Sequence, residues 1–241
     1  MKLALECPVS MLEMVQPFGD FSWILGHKVL EDEEYAKFYK NFEGFKIVDN
    51  SVNEVGEPLT VEDMAKVMEI VGGDLLVSPD WIGDAGKTVA AYGDCIKKFG
   101  KEKVIGVVQG ATFEEAFKCI NYYGKDTLIA VPFDICSSKK DPPFLMALRR
   151  ALVVCGIPST TRIHLLGFNS LDEFFWYTNR PNVVSIDTGV PVMLGLDGLD
   201  ILDPLESKED PTLNRMEKTK LTQQGWTAVC RNIALLRKYL P

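Results

Sequence analysis

The chain has 241 residues, 46% of them hydrophobic and 25% charged, the balance of a globular protein with a sizeable core. That length is close to the roughly 250 residues of a compact eight-fold βα barrel and leaves no room beside one for a second domain, so residues 1–241 read as a single domain. A net charge of −8 excludes a surface coated in basic groups. No apolar stretch approaches the roughly 20 residues that span a bilayer, and the N-terminus is too short and acidic for a signal peptide. The expectation is a cytoplasmic protein with no membrane partner.

Eight short runs rich in Val, Ile and Leu recur along the chain: Lys2–Cys7, Phe21–Gly26, Lys46–Asp49, Leu75–Pro79, Val104–Gln109, Thr127–Val131, Arg162–Leu166 and Val183–Asp187. Continuous apolar runs of this length are strands buried on both faces, as in a parallel sheet with crossover helices. The connections follow in order. Pro8 to Asp20 holds Pro17 and Gly19, so any helix there is stunted, and Glu31 to Phe42 fills the next helical slot. Thr60 is an N-cap ahead of Met64, Val67, Met68 and Val71. Asp84 to Phe99 is helical. Thr112-Phe113-Glu114-Glu115 and Ser170-Leu171-Asp172-Glu173 fit the capping box, in which the N-cap and N3 side chains satisfy each other's orphan amides. Pro142–Pro143 opens a helix that runs to Cys155. Gly72–Gly73, Gly100, Gly124 and Gly156 stand where left-handed C-caps would stop helices. Val192 to Leu221, with Gly195, Gly198, Pro204 and Pro211, predicts an irregular, substrate-facing loop. Thr222 to Leu240 carries Trp226, Val229, Ile233 and Leu236 at helical spacing. The fold class is therefore α/β, a (β/α)8 TIM barrel with a C-terminal helix packed on its wall.

In such a barrel chemistry collects where the strands end. Asp49, Asp80 and Asp187 end or follow three of the runs, and Gln109 ends a fourth. One such aspartate is as well explained by capping the next helix. Three converging with a glutamine on one rim point to a site. Two carboxylates across a small cavity suit nucleophilic displacement with proton transfer, the logic used at glycosidic carbons. Asp beside Gln suits in-plane reading of a purine edge. The six cysteines show no CxxC pair, and with only His27 and His164 no metal-ligand spacing appears, so reduced thiols and no metal are expected. His164, between Ile163 and Leu165, reads as a packed histidine rather than a catalytic one. His27 is a candidate for the mouth. Asp134 either lines the pocket or caps the next segment. Phe174–Tyr177 reads as core plus outer surface, with a base-stacking platform or a subunit contact as the alternatives. Basic residues gather locally, at Lys139–Lys140, at Arg149–Arg150 and from Lys208 onward, and any nucleic acid would be held by such patches.

The runs Val48-Asp49-Asn50-Ser51, Leu76-Val77-Ser78-Pro79-Asp80, Gly106-Val107-Val108-Gln109-Gly110, Leu165-Leu166-Gly167 and Ser185-Ile186-Asp187 with Pro191 resemble the ordered motifs of tRNA-guanine transglycosylases. The chain looks closest to the shorter DpdA-like enzymes, which insert 7-deazaguanines into DNA in phages and bacteria. The likeness spans residues 45 to 195. It implies that Asp187 attacks the ribose C1′ and Asp49 assists base binding and proton transfer. It implies further that Asp80 and Gln109 read the guanine edge, with Asn50 and Gly110 beside them, and that Gly167 lets the backbone approach the base. The chain departs from the tRNA enzymes in three places. Asn50-Ser51-Val52-Asn53-Glu54 stands where they have Ser-Gly-Gly-Phe-Gln, which leaves Trp81 as the candidate stacking partner. Val131-Pro132-Phe133 replaces a Gly-Gly pair. The CxCxxC…His zinc site and the region carrying it are absent. That last loss favours DNA over tRNA as the polymer exchanged with a preQ0- or preQ1-type base. Double displacement on an aspartate implies no cofactor, and a homodimer is compatible with the sequence. The alternatives are a tRNA enzyme, a TIM-barrel hydrolase of small nucleosides or sugars, and a non-catalytic binding subunit.

Overall fold

The computed structural model describes residues 1–125, 127–138, 141–167, 171–202 and 216–241. Eight parallel strands, β1 (Lys2–Leu5), β2 (Ser22–Leu25), β3 (Lys46–Asp49), β4 (Leu75–Val77), β5 (Val104–Val107), β6 (Leu128–Pro132), β7 (Arg162–Leu166) and β8 (Val183–Thr188), form one nearly closed barrel. The order is β1-β8-β7-β6-β5-β4-β3-β2, so neighbours in sequence are neighbours in space and every crossover returns to the adjacent strand. Each expected run forms its strand, and several strands stop short of the end of their run. Strand residues such as Ile24, Val48, Leu76, Val107, Ala130 and Ile186 are fully buried, because helices cover the outside and side chains fill the inside.

β1 and β2 end the order, and side chains bridge their join. The Asp20 amide donates to Leu3 O at 2.7 Å, Leu3 N donates to Asp20 Oδ2 at 2.8 Å, and Gln16 Nε2 donates to Leu5 O at 2.8 Å. These contacts satisfy backbone groups that a ladder would otherwise pair. The Pro8–Asp20 connection is thus short for a reason. Its brief helix α1 (Leu12–Val15) and flanking 3-10 turns carry the residues that close the barrel.

The helices start where side-chain caps put them. Thr60 accepts from Asp63 N at the head of a helix spanning Val61–Val71, and Asp84 accepts from Lys87 N ahead of Ala85–Phe99. Thr112 and Glu115 form the expected capping box ahead of Phe113–Tyr123. The helices depart from expectation in four places. The slot over Glu31 to Phe42 is filled by α3 (Glu33–Asn41), which starts where the Asp32 carboxylate accepts from Glu34 N and Tyr35 N, but a further helix, α2 (Gly26–Glu31), stands ahead of it. A one-turn helix α4 (Val52–Val55) stands between β3 and the next helix, α5 (Val61–Val71). Gly156 is not a left-handed cap: it closes the helix Pro143–Gly156, and its bare Cα leaves room for the Phe117 ring. The stretch expected to be irregular after β8 begins with a buried helix, Val190–Leu196. Among the described residues the remaining helices are α6 (Ala85–Phe99), α7 (Phe113–Tyr123), α8 (Pro143–Gly156), α9 (Val190–Leu196) and α10 (Gln223–Tyr239). Ser170 with its capping box, Lys139–Lys140, Lys208 and Arg215 lie outside the described residues.

α10 packs on the barrel as expected, burying Val229, Ile233 and Leu236, with Trp226 against Phe18. Buried Asn232 staples it: Nδ2 donates to Pro191 O and Leu199 O, and Oδ1 accepts from Ile201 N. Arg237 pairs with Asp20 Oδ2 at 2.7 Å and also donates to Phe18 O, tying α10 to the barrel seam. Among the described residues, no helix is long and apolar enough to cross a membrane.

Candidate active site

The parallel strands bring their C-terminal ends to one rim. β3 ends in two successive side-chain turns: Asp49 Oδ2 accepts from Ser51 N at 2.8 Å, and Asn50 Oδ1 accepts from Val52 N at 2.9 Å. These turns hold Ser51 in the left-handed region, at φ 64°, which costs a non-glycine residue about 1–2 kcal/mol. Its buried hydroxyl accepts from His27 N and locks the β2 and β3 ends together. Backbone strain of this kind gathers at working sites.

Next along the rim, Asn50, Asp80 and Gln109 form a polar network across the ends of β3, β4 and β5. Asn50 Nδ2 donates to Ser78 O at 2.8 Å and to Asp80 Oδ1 at 2.7 Å. Gln109 Nε2 donates to Asp80 Oδ2 at 2.6 Å, and Gln109 Oε1 accepts from Gly83 N. Each polar group is already partnered, yet Gln109 keeps a second N–H and Asp80 keeps spare lone pairs. Burial pushes Asp80 up to about 6 and Asp134 adds to this, against the pull of the hydrogen bonds from Asn50 and Gln109. The folded chain therefore binds that proton more tightly than the unfolded chain. Asp80's contribution to stability is full below its ordinary value of 3.8 and is lost as pH rises through about 6. Gly110 lines a cleft on the β4–β6 side. It packs on the first turn of α7, where a Cβ would meet Ala116 N at 2.7 Å. Trp81 turns outward: its indole N–H donates to Glu57 at 3.1 Å, so the expected stacking partner sits at the rim and not over the Asp80–Gln109 pair.

Across the barrel, Asp187 is 2% exposed. Its Oδ1 accepts from Gly167 N at 3.0 Å and contacts His164 Nε2 at 2.9 Å. Gly167 N donates to Oδ1, and the tautomer that places the ring hydrogen on Nε2 lets His164 donate to it as well. In the neutral ring Nδ1 then accepts from the Ser185 hydroxyl, 2.9 Å away. Trp23 stacks on the imidazole at 4.6 Å and 12°. His164 is thus packed, as read from the sequence, but packed inside the barrel and against Asp187. The Ser185–His164–Asp187 sequence of contacts has the bonding order of a hydrolytic triad. Ser185, however, lies two residues deeper on β8 than Asp187 and is buried, which removes it from any substrate at the mouth.

Gly167 has φ +73°, a conformation that glycine adopts without strain, and this aims its N–H at Asp187. Arg150 holds that turn. Its Nη1 donates to Leu166 O and Gly167 O, and its other nitrogens make a bidentate pair with Glu173 at 2.6 Å each. Tyr177 donates to the same carboxylate, and Phe133 lies under the guanidinium. Arg150 is therefore a buried strut and not part of a basic surface patch, while Arg149 is engaged by Asp141 at 2.6 Å. Of the aromatic run that follows, Phe174 and Tyr177 are core and Phe175 is exposed.

The three expected aspartates share one electrostatic neighbourhood. Burial pushes the Asp49 carboxyl well up, and Glu54, Asp187 and Asp80 add to the shift. Two further carboxyls join them. Glu6 follows β1, where the charge of Asp187 acts on it, and Glu54 comes from α4; burial raises both, Glu6 well above the carboxylate range. Glu6 carries the same sequence signal as the aspartates, an acid directly after an apolar run. Glu54 and the Arg150–Glu173 strut carry no periodic signal. Among the described residues, no group of His, Cys, Asp or Glu is arranged to hold a metal ion. His27 ends up buried at the mouth with Nδ1 unbonded, but the charges acting on it are Glu31, Lys28 and Glu217, not the site carboxyls. A cleft of about 530 Å³ opens on the β4–β6 side, lined by Gly83, Gln109, Gly110, Asp134 and Arg149 among others. It reaches the Gln109 edge of the polar network, while Asp49 and Asp187 are not in its lining.

Scans against family models and against curated proteins return no match for this chain.

Proposed function

We propose that the chain is a base-exchange transglycosylase that replaces guanine in a nucleic acid, DNA in preference to tRNA, with a 7-deazaguanine. One observation carries the reading. A carboxylate held by two donors, Asp187, faces a second carboxyl, Asp49, that burial and like charge favour in its protonated form. Asp49 then suits the proton-transfer role and Asp187 the attacking one. Asp187 attacks C1′ of an extruded nucleotide, the C1′–N9 bond breaks, and the departing guanine takes the Asp49 proton. The incoming 7-deazaguanine returns its N9 proton to Asp49 as N9 displaces Asp187 from C1′. The target nucleotide must leave the stack because C1′ and the base edge are poorly reached inside a duplex. The Asp80–Gln109 pair suits the guanine edge: the carboxylate accepts from N1–H and N2–H, and the second amide N–H of Gln109 donates to O6. The resemblance described above supports the polymer preference.

The test is incubation of the protein with labelled 7-deazaguanine and either single-stranded DNA, duplex DNA or tRNA. DNA should gain label. Label in tRNA alone would move the chain to the tRNA reaction. Release of free base from small nucleosides would mark a hydrolase, and binding without exchange a non-catalytic subunit.

Asp80 supplies a pH dependence. Below about 6 its carboxyl is protonated and loses an acceptor for the base, so KM for the incoming base should rise as pH falls through that value, with kcat less affected. A KM that stays flat through that range would remove Asp80 from base recognition.

A further inference from the structure

His164 is the buried titratable group that the base-exchange steps leave without work. It stands inside the barrel on β7, 0% exposed, with Trp23 stacked on its ring and Phe21 in a T-shaped contact 6.2 Å away. An apolar side chain would fill that space with no hydrogen bonds to satisfy, so the imidazole is explained by what its nitrogens hold. Ile163 pairs with Val183 on β8 and His164 with Ser185, so β8 carries one extra residue, Val184, at this point. That irregularity brings Ser185 opposite His164, and Ser185 and Asp187, two apart on one face of β8, both meet the ring. Nδ1 meets the Ser185 hydroxyl at 2.9 Å and Nε2 meets Asp187 Oδ1 at 2.9 Å. Gly167 N reaches the same Oδ1. Among the described residues Oδ2 of Asp187 therefore accepts no hydrogen bond, and it is the oxygen left to attack carbon.

We propose that His164 is a positioning residue for the nucleophile: held as the Nε2–H tautomer with the help of Ser185, it donates to Oδ1 and presents Oδ2 to C1′. The consequence for rate rests on the base-exchange reading; the tautomer and the bond do not. With the hydrogen on Nδ1 instead, the lone pairs of Nε2 and Oδ1 would face each other at 2.9 Å. The Ser185 hydroxyl, by donating to Nδ1, favours the other form. The contacts run in the order of a hydrolytic triad with the roles reversed: the carboxylate attacks, the imidazole donates, and the hydroxyl orients the ring. In the first half-reaction Oδ2 bonds to C1′ as the C1′–N9 bond breaks, and Oδ1 becomes the carbonyl oxygen of the ester. In the second, N9 of the incoming base displaces Oδ2, and charge returns to a carboxylate whose Oδ1 already faces two donors. The His164 hydrogen stays on Nε2 throughout.

The chain has two histidines, so the imidazole nitrogens of His164 are identified in NMR spectra by their loss in His164→Gln. Wild type at neutral pH should show a hydrogen on Nε2 and none on Nδ1. His164→Phe keeps a ring against Trp23 but no donor, and its kcat should fall roughly 10²-fold while KM for the incoming base stays within about threefold. His164→Gln, whose amide N–H stands in for Nε2–H, should recover about tenfold of that loss. Ser185→Ala loosens the ring without touching Asp187, and should lower kcat about fivefold with the same KM even where His164→Phe does not fold. A hydrogen on Nδ1, in the other neutral tautomer or in the cation, would overturn the proposal. So would full kcat in His164→Phe or in Ser185→Ala. His164→Gln no faster than His164→Phe would overturn it too, because the ring would then serve by packing and not by donating. If wild type exchanges no base at all, the functional reading fails, while the tautomer still decides whether His164 donates to Asp187.

Discussion

Replacing Asp187 by asparagine should lower base exchange by on the order of 10⁴–10⁶-fold and leave the fold intact. Amide and carboxylate are nearly isosteric, and the oxygen of the introduced amide still accepts from Gly167 N and from His164 Nε2. What disappears is the anion that forms the bond to C1′, and removal of a nucleophile costs a factor of this size. Measured with labelled guanine, wild type should incorporate label and Asp187→Asn should not, with thermal melting unchanged between them. Full exchange by Asp187→Asn would remove the nucleophile assignment.

Arg150→Met should be the most destabilising single change at the site. Arg150 and Glu173 are both fully buried and bonded through two 2.6 Å contacts, and Arg150 also holds the Leu166 and Gly167 carbonyls. Methionine fills most of the volume but leaves the Glu173 carboxylate without its counter-charge, which costs about 3–5 kcal/mol. In a chain of this size the melting midpoint should drop by about 10 °C. Removing Glu173 as well, in Arg150→Met/Glu173→Leu, should recover part of the loss, because the stranded charge goes with it. Chemical denaturation of the three proteins checks this. A loss under about 1 kcal/mol in the single variant would mean that Glu173 finds another partner or a proton.

The barrel is legible because its strands are buried on both faces and therefore read as continuous apolar runs, such as Ile47–Val48 and Ile129–Val131. Helix starts are legible where a cap side chain is local, as at Thr60 and Thr112. The helix α2 ahead of α3 is not, because it starts at Gly26 directly after β2 with no side-chain cap. Closure between β1 and β2 is equally hidden, since it depends on the Asp20 and Gln16 side chains reaching back to strand carbonyls and amides. At the site, a strand-end acid is a visible feature, and the structure gathers Asp49, Asp80, Gln109 and Asp187 on one rim. What they bond to is not visible. His164 reads as packing from its neighbours, and only the register of β7 on β8 puts it against Ser185 and Asp187. Arg150 and Glu173 lie 23 residues apart and meet through the packing of α8 on the turn after β7, which no local pattern encodes. Arg149–Arg150 reads as a surface patch for the same reason: adjacency in sequence says nothing about which of two arginines faces inward.

The covalent link tests the central claim most directly. Wild-type protein mixed with guanine-containing single-stranded DNA, quenched in denaturant and digested, should yield a peptide containing Asp187 that carries the sugar of the cleaved strand. The adduct should vanish when free base is added before the quench and should be absent from Asp187→Asn. Sugar found on a peptide containing Asp49, or base exchange that proceeds with no protein-bound sugar, would contradict the account.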